Sequence, residues 1–306
     1  MNWHTAELPE LELMQKCAVS NMLLANNYSA VNCLLYQKKY RFQIAVQDGW
    51  FFGRYEEGSS FSFSFPHHVD GDMSGIGDAI AILELEAKES ASGLGFRNVT
   101  LEEKEILSSR FPSLMAEKDE GLGDYIYLTE NLASLPGKKY SKKRNHVNQF
   151  RKKRPDFVFQ ELTADNLDCA MRVEEAWLAE SRASGLDNAD ASALEMERAI
   201  ILAAIKDFGF FSEIAGMTGG LLFVQDEPVA FCIASLLSPS VTDVHFEKCL
   251  SAFAQDGGYA VINNEFSKTV STEYINREED LGIPGLRKAK LSYYPEMVLE
   301  KFNVRI

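Results

Sequence analysis

The sequence predicts an α+β protein made of two tandem units, each a mixed, mostly antiparallel sheet flanked by helices. One order of elements (helix, hairpin, strand, glycine loop, helix) occurs twice along the chain. A basic segment that ends at Arg154-Pro155 separates the two occurrences. The length agrees, since 306 residues exceed the ~150 of a typical domain. The expected units are residues 1–154, ending in a basic helix at about 138–154, and residues 155–306.

In the first unit, apolar spacing predicts a helix over about residues 11–26. Strands follow at 42–47 and 50–55 around Asp48-Gly49, a dipeptide that tolerates the left-handed backbone of a two-residue hairpin. Residues 60–65 alternate like a half-buried strand, and the loop from Asp72 to Gly77 opens a helix to about residue 90. In the second unit, residues 157–162 alternate in the same way. Thr163 caps a helix with Leu167, Met171 and Leu178 on one face and Glu174 as a break. Another helix is expected over 193–208. Residues 219–234 read as two strands around a turn at Gln225-Asp226-Glu227-Pro228. A strand at 241–250, a glycine turn at 255–260 and a helix to about 270 complete the order. The halves share element order and little residue identity.

Lys and Arg total 31 against 45 Asp and Glu, a formal net charge of −14, which excludes a bulk electrostatic binder of nucleic acid or membrane. The charge is uneven. Residues 138–154 hold nine Lys/Arg and no acid, leaving a remainder of −23. At 100° per residue Tyr140, Val147 and Phe150 share one stripe, Ser141 can cap the start, and Arg154 precedes a proline. A docked helix with a broad basic face is the reading, with Lys143 on the apolar stripe either snorkelling outward or entering a groove between the halves. Such an array suits phosphate groups. The longest apolar runs fall far short of the ~20 residues that cross a bilayer. No signal-peptide pattern is visible, and the five cysteines lack a Cys-x-x-Cys pair. A reduced, cytoplasmic protein is expected, with peripheral contact to anionic lipid through the basic helix as a further option.

Gln255-x-x-Gly258-x-Ala260, between a strand and a helix, is the strongest local motif: glycines allow close backbone approach, and helix-start amides cradle a pyrophosphate. It resembles the acyl-CoA loop of the GCN5-related N-acetyltransferase (GNAT) fold. Gly75-x-Gly77 in the first half carries Asp72 and Asp78, which repel phosphate, so that loop is expected to be structural. His67-His68-x-Asp70-x-Asp72 invites a metal reading, but neighbours on a strand face opposite ways, so no metal is expected there.

Three longer stretches resemble one family: residues 137–150, His245-Phe246-Glu247-Lys248, and residues 274–295 with Glu278-Glu279-Asp280 and Pro284-Gly285. This is the family of the C-terminal domain of phosphatidylglycerol lysyltransferase, DUF2156. The resemblance implies two tandem GNAT-like domains related to the Fem-type transferases that use aminoacyl-tRNA. It implies acyl or aminoacyl transfer to an amine or hydroxyl acceptor, small-molecule or lipid. The donor is then aminoacyl-tRNA or acyl-CoA, with no tightly bound cofactor. The membrane-bound members carry a long transmembrane part, which these residues do not contain.

Such transfer needs a base, an oxyanion donor and a proton source. His245 and Glu247 share one strand face, and either serves as base or the two form a solvent-facing edge pair. Tyr293, or its neighbour Tyr294, can supply a proton or pack in a core. Asp280 can bind a substrate ammonium. The expected donor-binding residues are Gln255, Gly257, Gly258, Tyr259 and Ala260. Lys142, Lys143, Arg144, Asn145, Lys248, Arg277, Arg287 and Lys290 are the expected anion and substrate contacts, with tRNA or another phosphate-bearing ligand against 138–154. Arg287 and Lys290 can instead neutralise the acidic run. The rival is a non-catalytic ligand- or RNA-binding protein on a decayed GNAT scaffold.

Overall fold

The fold is described from a computed structural model, which covers residues 1–58, 60–90, 93–183 and 188–306. In chain order the elements are α1 (Leu11–Ser20), α2 (Ala30–Tyr40), β1 (Phe42–Gln47), β2 (Trp50–Glu57), β3 (Ser60–Phe63), β4 (His67–His68), α3 (Ile76–Glu89), β5 (Gly95–Val99), α4 (Leu101–Arg110) and β6 (Met115–Lys118). Then come β7 (Asp124–Leu128), α5 (Thr129–Ser134), α6 (Ser141–Lys153), β8 (Val158–Glu161), α7 (Leu167–Ala183), α8 (Asn188–Lys206), α9 (Phe208–Ala215), β9 (Thr218–Val224) and β10 (Glu227–Ser238). The chain closes with β11 (Val241–Cys249), α10 (Ser251–Ala254), α11 (Gly258–Ser267), β12 (Tyr274–Asn276), α12 (Pro284–Leu291), β13 (Met297–Leu299) and β14 (Phe302–Arg305).

Both expected hairpins form on two-residue turns with left-handed backbone, Asp48 and Gly49 at φ 52° and 78° and Gln225 and Asp226 at 52° and 63°. Their twist matches that of the paired strands. The expected first helix stops at Ser20, because Met22 takes a φ of 51° and Asn21 turns its amide onto the carbonyls of Cys17 and His68. A separate helix, α2, follows, capped by Ser29. Ser141 does not cap α6; Tyr140 holds that position without a side-chain cap. The expected helix over 193–208 starts earlier and breaks at Asp207 into α8 and α9.

The tandem prediction is met by two seven-stranded sheets, β1-β2-β3-β5-β14-β6, with β4 on β2, and β8-β9-β10-β11-β12-β7-β13. They are copies of one plan. In each a hairpin leads to a third strand that pairs in parallel with the next: β3 with β5, and β11 with β12. Each sheet then takes its next strand from the other end of the chain. β14, the last strand, lies between β5 and β6, while β7 lies between β12 and β13. Sheet membership therefore crosses residue 154 in both directions.

Three apolar cores result. Phe231 and Ile233 of β10 face a central core with α1, α2, α8 and α9. Ala230, Cys232 and Ala234 alternate onto the other face, against α11 and the Tyr140, Val147 and Phe150 stripe of α6. The first sheet buries its far face under α3 and α4. Among the described residues no helix is long and apolar enough to cross a membrane.

Candidate active site

The parallel pairing of β11 with β12 covers only Val241–Asp243 against Tyr274–Asn276, after which the strands part. A cavity of about 800 Å³ opens at this wedge, walled by β11, the residues after β12, α2, α6, α11 and α12.

At one end stand Glu247, Arg277, Lys143 and Tyr293, all in the cavity wall. A register shift at His245 interrupts the alternation of β11, so Val244 to Glu247 all line the cavity, and the Glu247 carboxylate meets Arg277 at 3.0 Å. The Arg277 guanidinium lies 5.0 Å from the centre of the Tyr293 ring, and its Nη1 is buried without a partner. Lys143 enters the groove rather than snorkelling out, and its Nζ sits 3.5 Å from the Tyr293 ring centre. Burial, and then the neighbouring Arg277 charge, pull the Lys143 pKa from the ordinary 10.5 to about 8, against the opposing pull of Glu247. An amine so placed can give or take a proton near neutral pH.

The other end is acidic. His245 Nδ1 lies 3.2 Å from Glu278 Oε1 and 3.6 Å from Asp243 Oδ2, and its Nε2 meets Ser235 Oγ at 2.7 Å. That chain has the connectivity of a nucleophile triad, but Ser235 is fully buried and outside the cavity wall, so it orients the imidazole. Glu279 accepts from Asn26 Nδ2 at 2.5 Å. Asp124, the first residue of β7, accepts from Lys301 at 2.7 Å, from the Asn26 amide at 2.7 Å and from Asn276 at 3.1 Å. Among the described residues one His/acid group has metal-ligand spacing: Asp243, His245 and Glu278. His67 instead pairs with Glu103, while His68 packs on Trp50.

Several expected site residues serve other purposes. Asp280 is buried outside the cavity wall and accepts from Arg287 Nε at 2.7 Å, Tyr125 at 2.6 Å and the Gly282 amide at 2.8 Å. Burial pushes its pKa up, yet those bonds outweigh burial and hold it below the usual carboxylate range. Arg287 is thereby committed, and its Nη2 also donates to the Glu120 carbonyl. Lys290 donates to the carbonyls of Arg277 and Glu279, fixing the wall segment between them. Lys248 points away, pairing with Glu197 at 2.7 Å over the Trp177 ring. Tyr294 is half exposed against Tyr140.

The glycine turn is built for packing. The amides of Gln255, Asp256 and Gly257 donate to carbonyls of Ser251, Phe253 and Ala254 within the turn. A Cβ on Gly257, whose φ is 108°, would meet the His146 carbonyl at 2.6 Å, and one on Gly258 would meet Cys249 Sγ at 2.5 Å. These glycines let α6 and β11 close on the loop. Of the five motif residues, Gly257, Tyr259 and Ala260 line the cavity, and Gln255 and Gly258 do not. Asp256 brings a negative charge, paired with Lys153 at 2.6 Å and Arg154 at 3.0 Å.

The basic array is likewise partly spent. Arg144 holds the carbonyls of Leu135 and Gly137, and Arg151 pairs with Glu265 at 2.8 Å. Lys138, Lys142, Asn145 and Lys152 stay exposed, and Lys143 and His146 face the cavity. Asn26, Asn32, Asp124, Asp243 and Lys301 escaped the sequence reading because long-range packing alone brings them together, and Glu279 was read only as part of an acidic run. The signal available was Asp243, two residues before His245 on the same strand face.

The sequence profile described as phosphatidylglycerol lysyltransferase, C-terminal, matches residues 22–305. A structure of a conserved protein of unknown function from Bacteroides thetaiotaomicron is similar over 100% of this chain and 99% of that one, at 29% identity and a TM-score of 0.89. The C-terminal DUF2156 domain of an Agrobacterium fabrum protein described as a lysylphosphatidylglycerol synthetase shares the fold. Its TM-score is 0.65 at 12% identity, over 98% of this chain and 92% of that one. An uncharacterized protein of Mycoplasmoides gallisepticum is 24% identical over 191 residues, 61% of this chain, so the match spans 57% of that relative's length. With the profile covering nearly every residue, the chain belongs to the family of the C-terminal domain of phosphatidylglycerol lysyltransferase.

Proposed function

We propose that this chain is an aminoacyltransferase that moves an amine-bearing acyl group from an ester donor, aminoacyl-tRNA, to an amine or hydroxyl acceptor. The observation that carries the reading is the polarity of the cavity: Lys143, Arg277 and Glu247 at one end, Glu278 and Glu279 at the other. An acyl group whose carbonyl sits beside Lys143 would place its ammonium toward the carboxylates.

In the reaction, the acceptor nitrogen or oxygen attacks the ester carbonyl. Lys143 in its free-base form takes the acceptor's proton, and Arg277 Nη1 donates to the developing oxyanion. Collapse breaks the carbonyl–oxygen ester bond, and the Lys143 ammonium returns the proton to the departing hydroxyl of the donor. Glu247 holds Arg277 in place. Lys138 and Lys142 stand exposed around the start of α6, the helix that carries Lys143, where a donor's phosphates would lie. Leu281 and Leu286 line the cavity and are 54% and 36% exposed, and Ile283 beside them is 51% exposed, which suits an acceptor with an apolar part such as a lipid.

Acyl-CoA is the weaker donor, because three amides of the glycine turn are spent internally and Asp256 opposes a pyrophosphate. Thermal stabilisation separates the two donors. The reading expects charged tRNA to stabilise the protein in a salt-sensitive way and acetyl-CoA to leave the melting point unchanged. Stabilisation by acetyl-CoA alone would overturn it.

A further inference from the structure

We propose that Asp243, His245 and Glu278, joined by Asn32, bind one divalent transition-metal cation of the Zn²⁺ or Mn²⁺ type in the cavity wall. One potential ligand atom from each of the first three residues lies within 4.8 Å of the other two. His245 Nδ1 is 3.2 Å from Glu278 Oε1 and 3.6 Å from Asp243 Oδ2. Ligands of a tetrahedral ion with ~2.1 Å bonds stand about 3.4 Å apart, so these separations bracket the requirement. One imidazole nitrogen with carboxylate oxygens is a donor set for a first-row ion rather than for an alkali cation.

Three further observations point to a cation. Ser235 Oγ holds His245 Nε2 at 2.7 Å, which aims Nδ1 at the carboxylates, as partners behind metal-binding imidazoles do. Asp243 Oδ1 is buried in a fully buried residue and has no partner. Asn32, 8% exposed, wedges its amide nitrogen between Glu278 Oε1 at 2.7 Å and Asp243 Oδ2 at 3.3 Å while its own Oδ1 has no partner. Unpaired buried acceptors are costly, and two residues of this one cluster, Asp243 and Asn32, each carry one. Turning the Asn32 amide over brings its oxygen to the cluster as a fourth donor to a cation, in exchange for the bonds its nitrogen makes to Glu278, Asp243 and the Asn26 carbonyl. The nearby Lys301 ammonium is engaged by Asp124 and Asn26. Asn32, His245 and Glu278 line the cavity, so an ion can enter from solvent.

The site rests on coordination geometry and shares Glu278 with the proposed ammonium contact, so a bound ion leaves Glu279 as the carboxylate facing that ammonium; metal titration reads the site without any transferase activity. The test uses the whole protein, dialysed against chelator and then titrated calorimetrically with Zn²⁺ or Mn²⁺, with Co²⁺ absorption to report nitrogen and oxygen coordination. One equivalent is expected, with binding weakened more than tenfold in both Glu278→Gln and His245→Gln. Glu278 sits at the cavity wall, so Glu278→Gln keeps the test open should His245→Gln fail to fold. Absence of saturable binding by the unaltered protein, or binding unchanged in Glu278→Gln, would overturn the proposal.

Discussion

Replacing Lys301 by Met tests whether the exchange of strands is what holds the two sheets together. Lys301 lies between β13 of the second sheet and β14 of the first, and Asp124 opens β7 of the second sheet, the strand that follows β6 of the first. Their ion pair therefore joins both crossovers at one point. The side chains are 3% and 0% exposed, the contact is 2.7 Å, and the ammonium also reaches Asn26 Oδ1 at 2.5 Å. Methionine keeps the volume and removes the charge, leaving the Asp124 carboxylate buried with only the Asn26 and Asn276 N–H groups to solvate it. Breaking one side of a buried pair costs about 3–5 kcal/mol. That is a large share of the ~5–15 kcal/mol by which a folded protein is stable. Urea unfolding followed by tryptophan fluorescence reads the loss, since Trp50 reports the first sheet and Trp177 the helix packed on the second. The double variant Lys301→Met/Asp124→Asn should recover part of the loss, because it removes the stranded charge. A single-variant loss below about 1 kcal/mol, or no recovery in the double variant, would refute the reasoning.

The same reasoning expects the separate segments 1–154 and 155–306 not to give two folded halves, because each sheet lacks one strand without the other. Cooperative melting of either segment alone by circular dichroism would contradict this. Lys143 titrates near 8, so kcat/KM should rise with pH through that value as the free amine forms, and Lys143→Met should remove both the limb and most of the rate. Stability moves the same way: the unfolded chain keeps the Lys143 proton to higher pH, so this residue's contribution to stability should rise between about 8 and 10.5 and vanish in Lys143→Met. Gly257→Ala meets a backbone oxygen at 2.6 Å and should cost more than the ~1–2 kcal/mol of left-handed strain alone. Gly137→Ala, at φ 67° in open space, should cost only that strain in the same unfolding assay.

Local signals were the most legible. Asp48-Gly49 and the Gln225 turn fix their hairpins through backbone conformation, and the Tyr140, Val147 and Phe150 stripe fixes which face of α6 is buried. Lys143 was placed on that stripe by phase alone. The strand exchange was not legible, because β7 and β14 are strands of five and four residues whose partners depend on tertiary pairing. Without that exchange Asp124 and Lys301 have no reason to meet. The glycine turn shows the converse, since Gly257 and Gly258 fit a phosphate cradle equally well until the His146 carbonyl and Cys249 are seen against them. Asp280 could be read from sequence as an ammonium contact or as part of an acidic run neutralised by Arg287, and packing decides for the second, with Arg287 and Tyr125 engaging it.

The central claim, transfer of an amine-bearing acyl group through Lys143, is tested most directly by following label. The protein is mixed with tRNA charged with radioactive amino acids and with vesicles containing phosphatidylglycerol or a soluble amine. Label should leave the tRNA for one of these acceptors, and Lys143→Met, still folded by circular dichroism, should abolish the movement. Label that stays on tRNA with every acceptor, or moves equally fast in Lys143→Met, would contradict the account.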